Sequence, residues 1–140
     1  MQKKIHGSCL CGGVKFVITG PLLKPLNCHC SMCRKAHAAA FRSRAGVGRA
    51  DFHYVSGEDL VHRYQSSPGT WRCFCGRCGS RLQSEFADPA EPLGVPLGLL
   101  DDDPEIAPRM HIYVSSKAPW HQITDGLPQH PEMAPSPPKK

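Results

Sequence analysis

Between Asn27 and Arg34 the chain reads Asn-Cys-His-Cys-Ser-Met-Cys-Arg, so Cys28, Cys30 and Cys33 fall within six residues. Three thiolates this close together can converge on one soft metal ion without help from the rest of the fold. Zinc favours such sulfurs and takes four ligands in a tetrahedron. The run supplies three, and whatever fills the fourth position decides whether the site is a staple or a reactive centre. Three thiolates donate so much charge that the ion becomes a weaker Lewis acid than one held by three neutral histidines. A site of this kind suits binding another thiol or thiolate better than activating water.

Four more cysteines form a second pattern. Cys9 and Cys11 lie in Gly7-Ser8-Cys9-Leu10-Cys11-Gly12-Gly13, where flanking glycines let the backbone turn tightly enough to aim both sulfurs at one ion. Cys75 and Cys78 form a Cys-x-x-Cys-Gly knuckle. A distant Cys-x-Cys joined to such a knuckle is a strong signature of structural zinc, and it closes a long loop of chain. The eighth cysteine, Cys73, leaves two alternatives. It can complete a second, closed four-cysteine site, or it can be a buried spare thiol. Cys73 and Cys75 are two apart on an expected strand and so share a face, which favours the second alternative.

The elements that must carry these residues are short. Val14–Ile18, Phe41–Ala45, Asp51–Val55, Leu60–Tyr64, Thr70–Phe74, Arg81–Phe86 and Met110–Val114 read as strands bounded by turn residues. Leu22–Leu26 reads as a Pro-bounded connection into the three-cysteine run. A helical turn is expected over Arg34–Ala40, where alanines follow the cysteines. Leu93–Leu100 is apolar but broken by Gly94, Pro96 and Gly98, which predicts an irregular edge strand. Asp101-Asp102-Asp103 lacks the ligand spacing of a calcium loop and reads as a solvated turn. The sum is a mainly β single domain over residues 5–132, followed by a Pro-rich tail, 133–140, expected to be disordered.

The chain has 140 residues and a formal charge of +5, with the basic residues scattered rather than lined up along a stripe. That pattern argues against a nucleic-acid partner. The first residues are polar and lack the apolar core of a signal peptide, and no apolar run is long enough to span a membrane. A cytoplasmic location follows as the expectation. In a reducing compartment, clustered cysteines mean metal or catalysis rather than disulfides.

The pieces Gly7-Ser8-Cys9-Leu10-Cys11-Gly12, Cys28-His29-Cys30-Ser31-Met32-Cys33-Arg34 and Phe74-Cys75-Gly76-Arg77-Cys78-Gly79 occur in this order. His111 to Trp120 and Asp125-Gly126-Leu127-Pro128 follow them. Over roughly residues 5 to 132 the chain resembles the glutathione-dependent formaldehyde-activating enzymes, which share a domain with centromere protein V. The resemblance implies a β-tent, short antiparallel sheets pinned by a structural zinc. It implies two zinc ions, the first on Cys9, Cys11, Cys75 and Cys78. The second, at the reactive site, takes Cys28, Cys30 and Cys33 and keeps an open or exchangeable fourth position. The implied reaction is that of a carbon–sulfur lyase, joining glutathione and formaldehyde into S-hydroxymethylglutathione or cleaving it. Fold and zinc loops travel farther than any one activity, so a zinc-stapled binding module without catalysis is the alternative.

Beside the cysteines, Arg34, Lys35 or Arg77 could meet the carboxylates of an anionic thiol, with Arg34 placed closest to the loop. His29, between two ligands in an extended run, should point away from the ion. His37 reads as a surface histidine. Trp71, Phe74 and Trp120 could line a pocket, although core packing is the expectation for Trp120. Exposed strand edges would permit pairing with a second copy.

Overall fold

Short alternating apolar runs, each stopped by Gly, Pro or a polar turn, leave strand pairing as the way to bury their apolar faces. The computed structural model describes residues 3–135. In chain order it contains β1 (Ile5–Ser8), β2 (Lys15–Ile18), β3 (Leu23–Cys28), α1 (Ser31–His37), β4 (Arg42–Val47), β5 (Phe52–Ser56) and β6 (Val61–Ser67). β7 (Thr70–Cys75), β8 (Arg81–Phe86), β9 (Leu93–Pro96) and β10 (His111–Ile112) follow. One sheet has the order β1-β2-β5 and the other β10-β3-β4-β9-β8-β7-β6. All neighbours are antiparallel except β10 and β3, which run parallel. The domain is mainly β, as expected. No helix among the described residues is long and apolar enough to cross a membrane.

The two sheets meet through Ile5, Phe16 and Ile18 on one side and Val47, Leu93 and Val95 on the other, all buried. Each large side chain removed from water here contributes roughly 1.5–3 kcal/mol. Gly7 is required by this core, because a Cβ there would lie 2.2 Å from the Phe16 ring. A second cluster, Cys9, Val14, Cys73, Cys75 and Leu82, surrounds the four-cysteine pattern. A third, Leu26, Cys28, Cys33 and Ile112, underlies the three-cysteine run, with Ala134 packed against it. The tail expected from 133 onward is described only as far as 135. Residues 136–140 lie outside the described range.

Three expectations are corrected. Leu93–Leu100 is no edge: β9 lies between β4 and β8, and a 3₁₀ turn over Leu97–Leu99 follows it. Gly94 is tolerated inside the sheet because the Arg42 guanidinium fills the space a side chain would occupy and donates to the Gly94 carbonyl at 2.8 Å. Leu22–Leu26, read as a connection, contains the start of β3. Pro25 survives there because the ladder to β4 shifts register between Leu23 and Leu26. Trp120 is not core, since it is 72% exposed.

Candidate active site

The three-cysteine loop is a strand running directly into a helix. β3 ends at Cys28, and Cys30 is the N-cap of α1, its sulfur accepting the Cys33 N–H at 3.3 Å. The helix therefore starts three residues before the expected Arg34, and its first turn carries Cys33 on the buried face. Strand alternation aims Cys28 and Cys30 to one side, and the helical turn brings Cys33 round to meet them. The three sulfurs lie within 4.8 Å of one another, and no fourth ligating side chain joins them among the described residues.

Cys9, Cys11, Cys75 and Cys78 also lie within 4.8 Å of one another, joining chain segments 64 residues apart. The Cys9 and Cys11 sulfurs are 3.5 Å apart, and those of Cys11 and Cys75 are 3.9 Å apart. Sulfurs on a tetrahedral zinc, about 2.3 Å from the ion, are separated by about 3.8 Å, so this cluster has the dimensions of a zinc site. Backbone amides face the sulfurs: Val14 toward Cys9 at 3.3 Å, Gly13 toward Cys11 at 3.4 Å and Arg77 toward Cys75 at 3.4 Å. Gly12 and Gly79 turn with φ near +77° and +78°, in the left-handed region that glycine enters without strain.

The electrostatics of the two clusters differ. The Ser80 hydroxyl and N–H hold Cys78 down to about 5, whereas neighbouring thiols and burial overcome the Gly13 N–H and push Cys11 up to about 11. In the three-cysteine loop, hydrogen bonds from Cys28 and Cys30 hold the Cys33 thiol far below its ordinary value, and Arg72 and Arg42 add to the effect. Cys28 moves the other way, pushed up by Cys30, Cys33 and burial. The Arg72 Nη2 lies 3.7 Å from the Cys33 sulfur.

This loop forms one wall of a cavity of about 410 Å³. Arg42, Arg44 and Arg72 line it together with Phe86 and Tyr113, and no carboxylate among the described residues does. Arg42 is 4% exposed, and burial lowers it to about 10, still well above neutrality. The Arg42 Nε and the Arg72 Nη1 are buried without a partner among the described residues. A cavity lined by three guanidinium groups is suited to an anion.

Arg34 does not line the cavity: its Nε donates to the Ser116 carbonyl at 3.1 Å, tying α1 to a 3₁₀ turn over Val114–Ser116. Lys35 lines a neighbouring hollow of about 350 Å³ with Tyr64, Arg72 and Arg81, and Met32 and Arg72 border both spaces. Arg77 belongs to the four-cysteine knuckle. His29 points away from the sulfurs and is fully buried. His37 is half-buried rather than a surface residue, and burial lowers it to about 4. Cys73 is buried outside both clusters, and burial and then Glu85 push its thiol up to about 12. Trp71 packs under Arg63 and Phe74 under Arg81, so neither lines the cavity.

The arginines were missed by sequence reasoning, although a signal exists. Arg42 and Arg44 alternate on a strand that directly follows the cysteine loop, which puts both on one face toward it.

Residues 4–116 match the family described as glutathione-dependent formaldehyde-activating enzyme. A Halomonas elongata protein named "Putative glutathione-dependent formaldehyde-activating enzyme" is 36% identical over 129 residues, covering 85% of this chain and 80% of that protein. An "Uncharacterized lyase" of Schizosaccharomyces pombe is 30% identical over 89 residues, 62% of this chain and 61% of its own. The crystal structure of a Rhodobacter sphaeroides protein superposes with a TM-score of 0.60 at 25% identity, over 74% of this chain and 97% of that one. With its sequence matched from residue 4 to 116, this chain belongs to the glutathione-dependent formaldehyde-activating enzyme family.

Proposed function

We propose that this protein is a carbon–sulfur lyase that joins a thiol, glutathione by the family's name, to formaldehyde as an S-hydroxymethyl adduct, and cleaves that adduct in reverse. The observation that carries the proposal is the contrast between the two clusters. One brings four sulfurs together, while the other stops at three and opens on a cavity lined by arginines. A structural site normally supplies its own fourth ligand, and an open position marks a site meant for a substrate.

Cys9, Cys11, Cys75 and Cys78 hold the structural zinc in this proposal, and Cys28, Cys30 and Cys33 hold the second ion as the catalytic set. A zinc held there would supply a soft Lewis acid suited to a substrate sulfur. In the forward direction the thiol sulfur gives its electron pair to the carbonyl carbon and a C–S bond forms. The C=O π pair moves to oxygen, and the thiol's proton ends on the new hydroxyl. Cleavage reverses each movement. Arg72 and Arg42, which line the cavity, bind the carboxylates of an anionic thiol. They take the recognition role first expected of Arg34. Lys35 and Arg81 in the adjoining hollow extend the cationic surface toward a second carboxylate. A reducing compartment such as the cytoplasm suits a chain with eight free thiols.

The test is the rate of adduct exchange between glutathione and ¹³C-formaldehyde, followed by NMR with zinc-loaded protein. The native protein is expected to accelerate exchange, and Cys30→Ser to lose at least about tenfold of that acceleration. Exchange at the spontaneous rate, with no heat of thiol binding in calorimetry, would overturn the lyase and leave a zinc-stapled binding module.

A further inference from the structure

We propose that Asp125, acting through His111 and His29, is a positioning residue that presets the three-cysteine loop for its metal. This rests on the metal reading above. It assigns a purpose to Asp125-Gly126-Leu127-Pro128, a stretch that touches no sulfur.

The geometry begins at the loop. Cys28 and Cys30 project to one side of an extended chain, so the residue between them must project to the other. His29 does so, and its ring is 0% exposed. Its Nε2 lies 2.8 Å from His111 Nδ1, and His111 Nε2 lies 3.1 and 3.0 Å from the two carboxylate oxygens of Asp125. A carboxylate only accepts, which places a proton on His111 Nε2. One further proton lies in the 2.8 Å contact between His29 Nε2 and His111 Nδ1, so the two rings and the carboxylate form one continuous hydrogen-bonded chain from the loop to Asp125.

No second polar anchor holds the His29 ring. Its Nδ1 is buried with no partner among the described residues, and the Phe41 ring packs beside it at 5.0 Å. The His111 bond is therefore the polar contact that fixes the ring. With the ring held there and buried, the Cα of His29, and with it the peptide units leading to both flanking cysteines, has little freedom to shift. The main chain is zipped in the same place. His29 N–H donates to Ile112 O at 3.0 Å and Asn27 N–H to Met110 O at 3.0 Å, while His111 N–H donates to Pro128 O at 2.9 Å. Hence the C-terminal arm grips β10, and β10 grips the loop.

The Asp125 side chain is 46% exposed, so removing its carboxylate costs little packing. Its Oδ1 also accepts the Leu127 N–H at 3.1 Å, so the release phase of the four-cysteine site, which a general loss of structure would also move, is the control. Zinc release to a chromogenic chelator should be timed in full-length, zinc-loaded native protein, Asp125→Ala and Asp125→Asn. A Cys30→Ser protein identifies which phase belongs to the four-cysteine site. Asp125→Ala is expected to speed release from the three-cysteine loop about tenfold and leave the other phase unchanged. Asp125→Asn, whose amide oxygen still accepts from His111, should fall near native. Native release kinetics in Asp125→Ala, or equal acceleration at both sites, would overturn the positioning role while leaving the metal reading intact. A native protein that retains zinc only at the four-cysteine site would overturn both.

Discussion

Arg72 shows how one side chain can serve two charges at once. Its Nε is fixed by the Ser66 hydroxyl at 3.3 Å, its Nη2 faces the Cys33 sulfur, and its Nη1 is buried without a partner among the described residues. A planar guanidinium divides its donors in this way, and a lysine ammonium cannot. Arg72→Gln is expected to weaken glutathione binding by about tenfold or more, the scale of a lost charge-assisted hydrogen bond. An uncharged thiol such as 2-mercaptoethanol should bind with little change, because it has no carboxylate to lose. Calorimetric titration of both thiols against native and variant protein checks this. Equal losses for the two thiols would mean that Arg72 acts on the cysteines alone.

At the scale of elements, the four-cysteine site is built by tight turns that press against one another. Gly57 has φ of +77°, and a Cβ there would lie 2.0 Å from the Gly13 carbonyl, just past Cys11. Gly12 has the same φ with nothing within 4 Å of an added Cβ. Gly12→Ala should therefore cost only backbone strain, about 1–2 kcal/mol, and Gly57→Ala clearly more, since the Gly13 turn must also move. Urea midpoints for the two variants measure the difference. The cysteine spacings alone sorted seven sulfurs into the two groups that the fold brings together, because ligand spacing is a local property. The strands with clean alternation, β2, β5 and β8, were legible for the same reason. β3 was hidden by Pro25, and the central place of β9, read as an edge, by its glycine and proline. Their pairing depends on partners far along the chain, above all on Arg42 filling the space over Gly94. The Asp125–His111–His29 chain was illegible because nothing local joins residues 29 and 125.

For the whole molecule, the four-cysteine cluster clips two segments 64 residues apart, while the three-cysteine loop closes a turn of a few residues. Loop closure makes the first clip the stability element and the second a local one. Cys11→Ser in zinc-loaded protein is expected to lower Tm by more than about 10 °C, and Cys30→Ser by only a few degrees, each removing one zinc. Calorimetry with metal analysis reads both effects. Acid adds a separate loss in metal-free protein. His6 holds Asp102 below the ordinary carboxylate range through its N–H and ring, and His111 does the same for Asp125. A folded-state value below the unfolded one gives stability that is full at neutral pH and drains away as pH falls below about 4. Burial also holds His37 down to about 4, so the unfolded chain takes up that proton first, and denaturant midpoints should begin to fall below about pH 6.5 and fall further beneath about 4. The grip of the C-terminal arm on β10 also sets an order of events during synthesis. The cysteines of the three-cysteine loop leave the ribosome first, the knuckle that completes the four-cysteine cluster leaves later, and Asp125 leaves after both. A nascent chain can thus collect its three sulfurs well before the carboxylate that the positioning role assigns to them has been made.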